Sequence, residues 1–223
     1  MSIQAAIFDY GMVLCQQDPE HHTALIRLSG LDRAAFERHY WRYRHTYDLG
    51  QLDGVGFWRK FASDAGLQFT PDQIQSLIEH DTLMWSHLSP PMIAWVAALQ
   101  RAGLRTAILS NMVPDLLRHM LTSPDFAWLS GFTHNTWSCE LGIAKPDPAI
   151  YLHTCEKLQV RPEETLFIDD KPENIAAAEA LGLTGVLFTD AAQLRRDLAA
   201  RKLLQNYPQP GEAVAGAEPT LSR

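Results

Sequence analysis

Short apolar runs alternate along the chain with longer stretches in which apolar residues recur every three or four positions. Ile3-Gln4-Ala5-Ala6-Ile7-Phe8 opens the series. Leu104 to Leu109, Phe132 to Trp137, Thr165 to Ile168 and Gly185 to Phe188 continue it, bounded by Gly, Pro, Asn or Asp, and read as strands. Between them Pro90 to Ala102, Pro114 to Leu121, Pro148 to Leu158 and Pro172 to Leu181 carry helical spacing. Each begins with a proline, whose missing N–H costs nothing in a first turn. Gly103 and Gly182 stand where helix C-caps are expected. This rhythm predicts an α/β fold, a doubly wound parallel sheet built from residues 1–17 and 89–204.

The segment 18–88 breaks the rhythm. It contains no convincing strand and reads as helical throughout, with Leu31 to Tyr47, Val55 to Ala65 and Pro71 to Trp85 separated at Leu49-Gly50 and Phe69-Thr70-Pro71. An all-helical insert after the first strand is expected over the C-terminal strand ends, where such sheets bind ligands, and so to act as a cap. The tail 205–223, rich in Pro, Gly and small residues, is expected to be disordered.

Composition narrows the function classes. The 223 residues allow one sizeable core with an appended subdomain, and the formal net charge of −7 supplies no basic face for a nucleic-acid backbone. An acidic average is still compatible with a small phosphorylated ligand, because a lysine and a metal invert the field within one cleft. Cys15, Cys139 and Cys155, odd in number and widely spaced, fit neither a disulfide framework nor a zinc site. The start of the chain lacks a secretory pattern and no run is long enough for a membrane span. A soluble, cytoplasmic protein, monomer or homodimer, is expected.

The chemistry lies where strands end. Asp9 follows the first apolar run, Ser110-Asn111 follows Ile108-Leu109, Asp169-Asp170 follows Phe167-Ile168, and Lys145 sits in Gly142-Ile143-Ala144-Lys145-Pro146-Asp147-Pro148. A parallel sheet gathers these along one edge. A carboxylate nucleophile, hard oxygen ligands of the kind Mg²⁺ prefers, a cation and a hydroxyl donor are what attack on phosphorus requires. Taken singly, each is also an ordinary turn, cap or surface residue. The ordered set of four has no comparable structural explanation.

With these motifs in this order, the chain resembles the haloacid dehalogenase (HAD) superfamily of hydrolases over about residues 4 to 190, in the form that carries a helical cap after the first strand. The resemblance implies that Asp9 is nucleophile and Mg²⁺ ligand, and that Ser110 and Asn111 cradle the phosphoryl group. It implies further that Lys145 orients the nucleophile and offsets charge, and that Asp169 and Asp170 hold the metal. An aspartyl-phosphate intermediate, hydrolysed by water, follows from the same resemblance. Dehalogenation is the alternative in this superfamily, disfavoured by the paired acids; a binding domain that has lost turnover is another.

One position departs from the family pattern. Most phosphatases of the superfamily carry a second Asp two residues after the nucleophile, as general acid and base, and here that place holds Gly11. General acid catalysis is typically worth about 10²–10⁴ in rate. In the family this residue gives the metal its backbone carbonyl, so Gly11 removes the acid without removing the metal site. A Gly here also resembles a branch that includes sugar-phosphate phosphatases, in which the segment Tyr47 to Asp53 has a counterpart. Either the substrate's leaving group departs readily, or the cap lends a proton donor, for which His21 and His22 are candidates. On the aromatic stretch from His39 to Tyr47, helical spacing puts Tyr40, Tyr43 and Tyr47 on one face and Trp41, Arg44 and His45 on another. Arg44, His45 and Tyr47 are the candidate specificity residues.

Overall fold

The computed structural model describes residues 2–211. Strand β1 (Ala5–Phe8) lies at the centre of a five-stranded sheet with β4 (Arg105–Ser110), β5 (His134–Trp137), β6 (Thr165–Asp169) and β7 (Thr184–Leu187), in the order β5-β4-β1-β6-β7. Every pairing is parallel. Ala5 through Phe8 are wholly buried, as a central strand covered by helices on both faces requires. Because β1, β4 and β6 are in register, Asp9, Ser110 and Asp169 arrive at one edge.

The insert enters and leaves through a two-stranded antiparallel ribbon, β2 (Cys15–Gln16) with β3 (His87–Leu88). Segment 18–88, read as free of strands, therefore contains one short strand. Between these lie α1 (Pro19–Ser29), α2 (Arg33–Arg42), α3 (Arg44–Asp48), α4 (Gly54–Ala65) and α5 (Pro71–Met84). Asp18, Asp32, Asp53 and Thr70 cap α1, α2, α4 and α5 through side-chain bonds to first-turn N–H groups. Phe36, Tyr40, Phe57, Trp58 and Phe61 pack together with ring centroids 5.1–6.4 Å apart and form the interior of the insert. The helix expected over Leu31 to Tyr47 is interrupted at Tyr43 (φ −110°, ψ 4°), which separates α2 from α3.

On the core side, α6 (Pro90–Arg101), α7 (Pro114–Thr122), α8 (Ser138–Leu141), α9 (Pro148–Leu158), α10 (Pro172–Ala180) and α11 (Ala191–Ala200) cover the sheet. The proline-led helices begin where the sequence places them, and Gly103 and Gly182 adopt the left-handed backbone their cap positions demand. The tail departs from expectation over its first residues. Trp95 donates its indole N–H to the Pro208 carbonyl at 2.8 Å and Pro210 is buried, so residues 207–210 are held against the core. The rest of the tail lies outside the described residues. Among the described residues, no helix is long and apolar enough to cross a membrane.

Candidate active site

Asp9 is fixed by its position one residue past β1, where its N–H bonds to the Ile168 carbonyl of β6. One carboxylate oxygen, Oδ1, accepts from the Tyr10 N–H at 2.6 Å and from Lys145 Nζ at 2.8 Å. Lys145 Nζ also reaches Asp169 Oδ2 at 2.7 Å and thus bridges the first and last motifs. Asn111 explains how a loop lysine is aimed so well. Its amide donates to the Lys145 carbonyl and accepts from the Lys145 N–H, at 2.9 and 2.8 Å. The Asn111 side chain therefore positions Lys145 and also lines the cleft, where the sequence assigned it to a phosphate cradle. Ser110, at the end of β4, lines the cleft beside it.

Asp169 and Asp170 are neighbours in sequence but not in circumstance. Asp169 is fully buried and accepts from Lys145, from both oxygens' contacts with Asn174 Nδ2 at 2.9 and 3.0 Å, and from the Lys171 N–H at 2.8 Å. Asp170 is half-buried and faces the cleft. Oxygens of Asp9, Asp169 and Asp170 lie within 4.8 Å of one another.

The electrostatics of this cluster are those of crowded acids. Burial, with the Asp169 and Asp170 charges added, pushes the Asp9 carboxyl up to about 7 in spite of Lys145. Asp170 is raised as well, first by burial and then by Asp169. Burial opposes the Lys145 charge, but the Asp169 and Asp9 carboxylates outweigh it and hold the ammonium above its ordinary value. Three carboxylates around one directly bonded ammonium form an oxygen-rich, negatively charged pocket, which fits a hard divalent cation such as Mg²⁺.

The cleft is about 280 Å³ and is roofed by the insert. Trp41, Arg44, Asp48 and Trp85 of the insert line it together with Asp9, Ser110 and Lys145 of the core. Of the expected specificity residues, the structure brings Arg44 to the cleft and leaves the other two away from it. His45 is exposed outside the lining, and Tyr47 is buried with its hydroxyl donating to Asp115 Oδ2 at 2.8 Å. Tyr47 shares its burial with Tyr40, on the same face of the aromatic stretch, while Trp41 and Arg44 line the cleft. Arg44 is itself spent on protein partners: Asp48 Oδ1 at 3.0 Å, Asp81 Oδ1 at 3.4 Å and the Tyr40 hydroxyl.

The histidines proposed as proton donors are not at the cleft. His21 Nδ1 pairs with His80 Nδ1 at 2.8 Å, and His22 Nε2 meets Glu37 at 2.6 Å. Asn174, Asp48, Trp41 and Trp85 are cleft or cluster residues that sequence reasoning did not single out. Asn174 carried a signal, a poor helix former inside an otherwise alanine-rich helix. Asp48 carried one too, as the acid four residues after Arg44.

A family model of haloacid dehalogenase-like hydrolases matches residues 3–182. The chain belongs to this family. A sesquiterpene phosphatase of Aspergillus oryzae is 27% identical over 191 residues, 85% of this chain and 92% of that protein. An (S)-2-haloacid dehalogenase 1 of a Pseudomonas species is 35% identical over 101 residues, 44% of this chain and 42% of that protein. The chain spans only 20% to 30% of the length of the mammalian bifunctional epoxide hydrolases it also matches. In fold, it superposes with TM-score 0.68 and 19% identity on a HAD family enzyme of Bacteroides thetaiotaomicron, covering 84% of this chain and 95% of that one. That enzyme was crystallised with magnesium and inorganic phosphate.

Proposed function

We propose that this hydrolase is a Mg²⁺-dependent phosphohydrolase acting on a small phosphorylated metabolite through an aspartyl-phosphate. The observation that carries the reading is the clustering of Asp9, Asp169 and Asp170 within 4.8 Å around Lys145. Such a concentration of buried negative charge is expensive unless a cation compensates it, and attack by Asp9 on a carbon–halogen bond calls for no such cation. Phosphatases among the relatives favour the same side.

Each residue then has a task that its geometry supports. Asp9 Oδ1 is held by Lys145 and the Tyr10 N–H, so the carboxylate is oriented with its other oxygen toward an incoming phosphorus. Asp169, with four hydrogen bonds from the protein, serves chiefly to fix Lys145 and Asn174. Asp9 and Asp170, with the Gly11 carbonyl, are the groups that would hold the metal directly, since they line the cleft. Mg²⁺ bound there would supply charge neutralisation at the phosphoryl oxygens. Ser110 donates to the same oxygens, and the 280 Å³ cleft suits a small ester, a sugar phosphate among the candidates.

The test is phosphate release from an aryl phosphate with Mg²⁺ and after chelation. Chelation and Asp9→Asn should each reduce turnover by about 10³-fold or more. Turnover that survives both changes would contradict the reading.

A further inference from the structure

Gly11 leaves a chemical role without an owner, and the cleft contains one acid that no task above uses. Asp48 closes α3 and lines the same cavity as Asp9, Ser110 and Lys145. Its position is tightly determined. The Asp48 carbonyl accepts from Ser138 Oγ at 2.5 Å, and Ser138 Oγ accepts in turn from the Met112 N–H at 2.8 Å, two residues past Ser110. Gly50 adds a second constraint: a Cβ there would lie 2.4 Å from the Cys139 carbonyl oxygen, so the chain behind Asp48 runs against α8. The end of α3 is thus pinned over the loop that follows β4.

We propose that Asp48, supplied by the cap, is the proton donor to the leaving oxygen and the base that afterwards activates water. This rests on the phosphohydrolase reading above. In the first step the Asp9 carboxylate forms a bond to phosphorus while the ester P–O bond breaks, and the departing oxygen takes the Asp48 proton and leaves as the alcohol. In the second, the Asp48 carboxylate takes a proton from water as that water's oxygen bonds to phosphorus. The bond between phosphorus and Asp9 breaks, phosphate departs, and Asp9 carboxylate and Asp48 carboxylic acid are restored.

The surroundings suit an acid that holds its proton. Arg44 is the guanidinium bonded to Asp48, and it is shared with Asp81, so two carboxylates compete for one positive charge. Burial raises the Asp48 carboxyl above the ordinary range, although Arg44, Lys171 and His45 pull it down. Asp81 is raised too, by burial and in part by Asp48, and Cys139 lies near enough to feel the Asp48 charge. Oδ1 is engaged by Arg44 Nε at 3.0 Å. Among the described residues the second oxygen accepts no hydrogen bond. Two other donors in the cleft are less suited: the Tyr10 hydroxyl is committed to the Trp85 carbonyl at 2.7 Å, and the Arg44 guanidinium does not give up its proton.

The experiment compares kcat/KM for an aryl phosphate and an alkyl phosphate, with Mg²⁺, in the wild type, Asp48→Asn and Asp81→Asn. The amide of Asp48→Asn still accepts from Arg44 but carries no acidic proton. It should lower the alkyl ester by about 10²–10⁴-fold and the aryl ester by less than about tenfold. The wild type should lose alkyl-ester turnover at high pH, where a general acid loses its proton, and Asp48→Asn should abolish that fall. Asp81→Asn disturbs Arg44 from outside the cleft and should move both esters alike. An Asp48→Asn variant that weakens both esters equally, or neither, overturns the proposal. Should that variant fail to fold, the wild type decides: turnover nearly independent of leaving-group basicity supports an internal acid, and a steep dependence rules it out. A wild type that hydrolyses neither ester sinks the phosphohydrolase reading itself, and this proposal with it.

Discussion

Gly11 shows how one residue can be read correctly in type and still hide its consequence. Its absence from the general-acid role was legible, because a missing carboxylate is visible in the chain itself. The replacement was not, because Asp48 reaches the cleft only through the Ser138 and Gly50 contacts between insert and core. The strand-end residues Asp9, Ser110 and Asp169 were legible for the opposite reason, since parallel register alone brings them together. Asn111 was found, but its hold on Lys145 was not, since both those bonds go to a residue 34 positions away. A Cβ at Gly11 would meet nothing nearer than the Trp85 ring at 3.5 Å, and the backbone there is not left-handed, so a side chain can be accommodated. Introduced into Asp48→Asn, Gly11→Asp should restore most of the lost alkyl-phosphate turnover, and steady-state kinetics on the double variant checks this.

Among the elements, the core was the readable part. Prolines mark the starts of α6, α7, α9 and α10, and apolar runs mark the strands, so local chemistry and tertiary position agree. The insert was less readable because its helices are set by packing. The aromatic spacing from His39 to Tyr47 suggests one helix, and Tyr40, Arg44 and Tyr47, at i, i+4 and i+7, are buried together as that spacing implies, although the chain is interrupted at Tyr43. Contact between cap and core is tightest at Gly50, whose φ of 70° and 2.4 Å Cβ approach to Cys139 leave no room for a side chain. Gly50→Ala should cost about 1–3 kcal/mol in denaturant unfolding and should lower kcat/KM, since Asp48 and α3 would shift with it. An unchanged midpoint would show that the junction is not as tight as described.

At the scale of the whole molecule, burial of acids governs how stability responds to pH and metal. Burial pushes the Asp9 carboxyl up to about 7 in the folded protein against an ordinary 3.8. A raised carboxylate stabilises fully below its unfolded value, and that contribution is lost as pH rises through the folded one. Asp170 is shifted in the same direction. Metal binding requires the ionised carboxylates and so competes with these protons. Mg²⁺ should therefore raise the thermal midpoint more at about pH 8 than at about pH 5.5, which a thermal-shift titration measures. Equal effects at both values would mean that the acids near Asp9 do not bind the ion.

All of this depends on Asp9 taking the phosphoryl group. The most direct measurement is to quench the Mg²⁺-loaded enzyme during turnover with borohydride, which reduces an acyl phosphate to the alcohol, and to locate the change by peptide mass. Asp9 should be converted to homoserine only when substrate and Mg²⁺ are both present, and Asp9→Asn should give neither conversion nor phosphate. Sustained phosphate release with Asp9 unmodified, or from Asp9→Asn at the wild-type rate, would contradict the account.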